Sequence, residues 1–188
     1  WATKPAAPDV WEESFPNMSK AFSCSMKSAK GALRKIWGEI EEGGEWIVEA
    51  DLKDFFGSVN HEKLLTLVNQ RVADGRVIGL IAQMLRAGVS VGGKIQTSLQ
   101  GTPQGGVISP LLSNILLTPF DREMRRRGHQ LTRYADDWVV TCSTRKEAEK
   151  AMTDARKVLA TLGVTLNEQK TRIVYITQGF ELLGYKIK

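Results

Sequence analysis

"RYADDWVV" (residues 133–140) places two adjacent carboxylates inside a run that otherwise reads as strand. Asp is depleted in strands, and burying one is costly unless it is paired or ligates a metal. Something must therefore offset the burial of Asp136 and Asp137. Residues 131–142 ("LTRYADDWVVTC") read as strand, acidic interruption, strand, so the pair marks the tip of a hairpin. A tip lets both acids point toward one cleft, which a straight strand forbids because successive side chains face opposite sides. For a bare Asp-Asp, a tight turn with two solvated acids is the competing reading.

A third acid favours the cleft. "EWIVEADL" (45–52) alternates at period two, with Trp46, Val48 and Ala50 on one face and Ile47 and Glu49 on the other, and Asp51 closes it. If the two strands are neighbours, three carboxylates converge at one sheet edge. Two Mg²⁺ ions about 4 Å apart need such a hard-oxygen cradle to hold the attacking and leaving oxygens of a phosphoryl transfer. Metal is the expected offset for the buried pair.

Around these strands the chain alternates helix and strand. Residues 26–42 predict a helix with an apolar stripe of Ala32, Leu33, Ile36, Trp37 and Ile40, ended by Gly43-Gly44. Residues 61–72 and 76–87 predict two amphipathic helices, and 89–98 a hairpin around Gly92-Gly93. Residues 109–128 predict a helix with Ser109 as N-cap and Pro110 in the first turn, kinked or broken at Pro119. A charged helix over 144–162 ends at Gly163, and the closing β segments predict a small flanking sheet. The order from residue 45 is that of an α+β domain, an antiparallel sheet backed by helices on one face.

Composition sets the class without choosing the chemistry. With 42% apolar and 25% charged residues, the 188-residue chain has the profile of a globular domain with one good core. No apolar run reaches the length of a membrane span, and the start lacks the pattern of a secretion signal. The expected location is cytoplasmic or organellar. Cys24 and Cys142 are too few for a disulfide framework and lack metal-site spacing. A net charge of +5 leans weakly toward a polyanionic partner.

"YADD" (134–137) is followed out from a wider set. With "EADLKDFFGSVNHEKL" (49–64), "QGTPQGGVISPLLSNILL" (100–117), "LNEQKT" (166–171) and "LLGYKI" (182–187), the chain resembles reverse transcriptases. The order and spacing are most similar to the polymerases of group II introns and their relatives in CRISPR-associated and phage-defence systems. The resemblance covers about residues 20–188. It implies a polymerase palm with a ferredoxin-like core over 45–188, with 61–100 as fingers-proximal helices and hairpin, and a partial fingers segment over 1–44. It also implies that the thumb, the earliest fingers segment and any maturase or endonuclease domain lie outside this chain.

The resemblance carries roles to matching positions. Asp51, Asp136 and Asp137 become the catalytic acids and, with Leu52, the metal set for two Mg²⁺ ions, with Mn²⁺ as the alternative. Phe56 becomes the ring beneath the nucleotide sugar, leaving no room for a 2′-hydroxyl. Its neighbour Phe55 is then core, an assignment that "DLKDFF" alone does not make. Gln104 and Gly105 line the nucleotide pocket, and Lys170 stands near the leaving pyrophosphate. Where group II enzymes show arginines that grip the triphosphate, this chain has "SCSMKSA" (23–29), which leaves the task to Lys27, Lys20 or Lys30. Arg125, Arg126, Arg127 and Arg133 form the densest basic cluster, readable as phosphate contacts or as a solvated helix end. The implied partners are an RNA template, a DNA or RNA primer and deoxynucleotides, with intron RNA or CRISPR adaptation proteins beyond them. An RNA-binding splicing factor with little polymerase activity is the alternative, favoured by the altered 23–29 stretch. An RNA-making polymerase is opposed by Ala135 and Phe56.

Overall fold

The computed structural model of the chain describes residues 28–70, 72–86, 89–91, 94–96, 101 and 109–187. Its centre is a sheet of four antiparallel strands in the order β4-β5-β1-β6. These are β1 (Trp46–Ala50), β4 (Gln130–Tyr134), β5 (Asp137–Cys142) and β6 (Arg172–Tyr175). Two long helices join them, α5 (Ser109–Arg126) before β4 and α6 (Arg145–Leu162) between β5 and β6. The succession β1, α5, β4, β5, α6, β6 is a ferredoxin-like split βαβ arrangement.

Alternation along the strands decides which layer each face meets. Val48, Ala50, Leu131, Trp138 and Val140 pack against α5, α6 and α3 (His61–Asn69) in the main core. The opposite face puts Ile47, Val139 and Val174 against Ile36 of α1 (Ala29–Glu41). Phe180 and Leu182 of β7 (Phe180–Leu182) and Ile187 of β8 (Tyr185–Ile187) complete that second cluster. The faces expected for β1 are those observed.

Local chemistry fixes the helix ends. Ser28 caps α1 by accepting from the Gly31 amide at 3.0 Å. Thr144 and Glu147 form a reciprocal capping box at the start of α6, and Gly163 ends it at a left-handed φ of 78°. Asn60 caps α3, and α4 (Gly75–Arg86) follows. The hairpin expected over 89–98 is β2 (Val89–Val91) paired with β3 (Lys94–Gln96).

Four expectations change. Pro119 does not break its helix: α5 runs unbroken through it, with Leu116, Leu117 and Phe120 buried around the ring. Ser109 is the first residue of that helix rather than its cap. Burial of the apolar face outweighs the one backbone bond that proline forfeits. Trp37 leaves the expected stripe of α1 and is 54% exposed, while Ala32 and Ile36 take the buried row. The closing β segments divide, β6 joining the main sheet and β7-β8 alone forming the flanking one. Among the described residues no helix is long and apolar enough to cross a membrane.

Candidate active site

The register of β1 against β5 builds the site. Pairing runs from Trp46 opposite Cys142 to Ala50 opposite Trp138, so the next step along both chains sets Asp51 beside Asp137. Tyr134 pairs with Asp137, leaving Ala135 and Asp136 as the two-residue turn between β4 and β5. Ala135 takes a left-handed φ of 55°. Three carboxylates thus reach one end of the sheet, as the motif spacing predicts.

They are not buried, which corrects the premise that a metal must offset burial. Asp51, Asp136 and Asp137 are all of intermediate exposure. Nor do they close on one point. Asp51 Oδ2 lies 3.3 Å from Lys170 Nζ and accepts from Asn167 Nδ2 at 3.3 Å. Asp137 Oδ2 accepts from the Leu183 amide at 2.8 Å. Among the described residues, no three Asp, Glu, His or Cys side chains stand close enough to share an ion. Like charges at this spacing repel, and Asp51 and Asp137 each take their own donor.

The electrostatics nevertheless fit a hard divalent cation. Asp137 holds its proton more tightly than an ordinary aspartate, first because of partial burial, then because Asp136, Asp51 and Glu49 surround it with negative charge. The Leu183 hydrogen bond opposes that shift. A concentration of all-oxygen donors whose mutual repulsion raises a pKa is what Mg²⁺ binding favours. Leu52, expected in the metal set, has its side chain in the core and bridges Leu166, so only its carbonyl oxygen could contribute.

In the short helix α2 (Phe55–Ser58), Phe55 and Phe56 differ in burial. Phe55 is core at 3% exposure, while Phe56 is half-buried and meets it edge to face at 5.3 Å. Gly101 holds the Phe56 turn from the other side. It adopts φ +95°, donates to the Val59 carbonyl, and a Cβ there would stand 3.0 Å from the carbonyl oxygens of Phe56 and Gly57. His61 Nε2 bonds the Gly101 carbonyl, tying α3 to the same loop. Lys27, Gln104 and Gly105 lie outside the described residues.

The basic cluster breaks up. Arg133 is 1% exposed and spends its guanidinium on Asp121, Asn114 and the Ala135 carbonyl, so it cannot reach a phosphate. Its position follows from alternation, since it shares a face with buried Leu131. Arg126 and Arg127 pair with Glu123, and Arg127 also with Asp154. With Arg125 they close α5 at the end of the sheet away from the acidic turn, separated by the length of β4. Contacts at the acids also come from residues without a composition signal: Asn167, the Leu183 amide, and Glu49, which pairs with Arg172 at 2.8 Å. All three lie within stretches that carry the resemblance, but none of them was assigned a role at the site.

Sheet, backing helices and acidic edge together are a polymerase palm. Residues 7–187 match the model of the family described as reverse transcriptase (RNA-dependent DNA polymerase), and the chain belongs to that family. It is 30% identical to Protein YkfC of Escherichia coli, across 95% of this chain and 57% of that protein. To the group II intron-encoded protein LtrA of Lactococcus lactis it is 26% identical, across 95% and 40%. The chain therefore spans about half the length of these relatives. A retron Ec86 reverse transcriptase of Escherichia coli is 28% identical over 82% of this chain and 46% of its own. The fold is also that of apo telomerase from Candida tropicalis, with a TM-score of 0.70 at 15% identity over 95% of this chain and 42% of that one.

Proposed function

We propose that the chain supplies the palm and part of the fingers of an RNA-directed DNA polymerase that extends a primer with deoxynucleotides. The observation that carries this reading is the β1–β5 register, which sets Asp51 beside Asp136 and Asp137 at one sheet edge. In this reading the three carboxylates hold two Mg²⁺ ions, with Mn²⁺ as the substitute. When bound, such ions neutralise the attacking and leaving oxygens of a phosphoryl transfer.

The protein's own groups do the rest. Phe56 presents its half-buried ring where a 2′-hydroxyl would clash, which selects the deoxy sugar. Lys170 Nζ, 3.3 Å from Asp51 Oδ2, places an ammonium where pyrophosphate gathers charge. The resemblance assigns the nucleotide pocket to Gln104 and Gly105 and the triphosphate to Lys27, Lys20 or Lys30. The similarity to intron-encoded and retron proteins supports an RNA template and a mobile-element setting.

The test is extension of a labelled DNA primer on an RNA template by the full-length protein. Deoxynucleotide incorporation should stop with a chelator and return with Mg²⁺ or Mn²⁺. Primer–template binding without any incorporation in either metal would reject the reading in favour of an RNA-binding factor.

A further inference from the structure

Next to the acidic turn, on the helix-covered face of the sheet, lies a fully buried ion pair. Arg133 Nε and Nη2 donate to the two oxygens of Asp121 at 2.7 and 2.6 Å, and Asp121 is 0% exposed. Arg133 Nη1 donates to Asn114 Oδ1 at 2.9 Å and to the Ala135 carbonyl at 2.5 Å. Asn114 and Asp121 are seven residues apart on α5, two turns along one face. One planar guanidinium therefore connects an 18-residue helix to the backbone of the turn that carries Asp136.

The turn needs that connection. Ala135, at φ 55°, occupies the first central position of a two-residue hairpin turn, where positive φ normally calls for glycine. Alanine holds a left-handed conformation only where its surroundings impose it. The pair is also a poor source of net stability, because well-packed apolar residues often replace a buried ion pair without loss.

We propose that Arg133, anchored by Asp121 and Asn114, is a positioning residue that fixes the Ala135–Asp136 turn, and through it the placement of the Asp136 and Asp137 carboxylates. The inference rests on the polymerase reading above. Arg133 faces the helices and touches no substrate. Among the described residues, its contact with the turn is the Ala135 carbonyl.

Three variants of the full-length protein test this. Arg133→Met with Asp121→Leu removes the pair while keeping the site packed. Arg133→Lys keeps a charge opposite Asp121, but a single ammonium cannot span Asp121, Asn114 and the Ala135 carbonyl. Ala135→Gly in the Arg133→Lys background lets the turn hold positive φ unaided. Each is measured by thermal melting, by kcat and KM for a deoxynucleotide in primer extension, and by Mn²⁺ binding to the substrate-free protein using paramagnetic resonance.

Misplacing reacting groups by about 1 Å can cost on the order of a hundredfold in rate, so kcat per folded molecule should fall ~10–100-fold with KM little changed. Mn²⁺ should bind more weakly, and Ala135→Gly should recover part of both losses. A residue that only stabilises the fold would lower melting and leave kcat per folded molecule and Mn²⁺ affinity at parental values, and that result overturns the proposal. If the double variant does not fold, Arg133→Lys decides by the same readouts. Asp51→Asn runs alongside: parental extension by that variant would remove the polymerase reading itself. Loss of extension in Asp51→Asn with parental behaviour in the Arg133 variants removes only the positioning role.

Discussion

Truncating the two adjacent rings separates packing from sugar selection. Phe55 is 3% exposed in the main core, so Phe55→Ala should cost ~3–5 kcal/mol through lost burial and the cavity left behind. Phe56 is only half-buried and sits on the rim of that core, so Phe56→Ala should cost about 1–2 kcal/mol. The edge-to-face contact at 5.3 Å is lost in both and does not distinguish them. The distinguishing quantity is choice of sugar. Removing the Phe56 ring opens space for a 2′-hydroxyl, and relief of a ~3 kcal/mol clash corresponds to on the order of a hundredfold in the ratio of kcat/KM values. Single-turnover incorporation of deoxy- and ribonucleotides on one RNA template, with thermal melts of both variants, reads the two effects together. The reasoning fails if Phe55→Ala alters sugar choice while Phe56→Ala only destabilises, or if neither moves the ratio.

Two further outcomes follow from contacts away from the acids. Hydrogen bonds from Arg126, then Arg127, hold the Glu123 carboxyl down from its ordinary 4.5 to about 2. A depressed folded-state pKa contributes stability above the unfolded value and loses it as pH falls. Glu123→Gln should therefore lower the melting temperature at neutral pH, with the deficit shrinking below pH 4.5 and closing near 2; a deficit undiminished at pH 2 contradicts the pairing. Gly101→Ala should cost ~1–3 kcal/mol, because its φ of +95° and the carbonyl oxygens of Phe56 and Gly57 leave no place for a Cβ. An unchanged melt would mean the loop is not held as described.

Period-two alternation made β1 and its faces legible, since one slip would have sent Ile47 and Val48 to the wrong layers. The same rule, applied from Leu131, puts Arg133 against the helices. Its nearness in sequence to Arg125–Arg127 obscured that, and a residue that braces the turn read as a phosphate contact. Pro119 and Trp37 misled for a related reason. Local propensity and helical spacing describe a segment alone, whereas burial of Leu116, Leu117 and Phe120 and the narrow buried row of α1 are set by what packs on them. The acids' positions, and Lys170 near them, were readable from the motifs, but their other partners were not. Asn167 and Leu183 come from 116 and 46 residues away along the chain, and only the fold brings them in.

The central claim is that the acidic edge performs nucleotide transfer. Its most direct test is RNA-templated primer extension by the full-length protein carrying Asp136→Asn, at a matched folded fraction. The substitution keeps the turn's shape and removes one negative charge from a cluster of repelling carboxylates, so folding should be undisturbed. Extension should fall by about a thousandfold or more, the scale on which removing one preorganised charge-stabilising group acts. Parental extension by a folded Asp136→Asn protein would contradict the account.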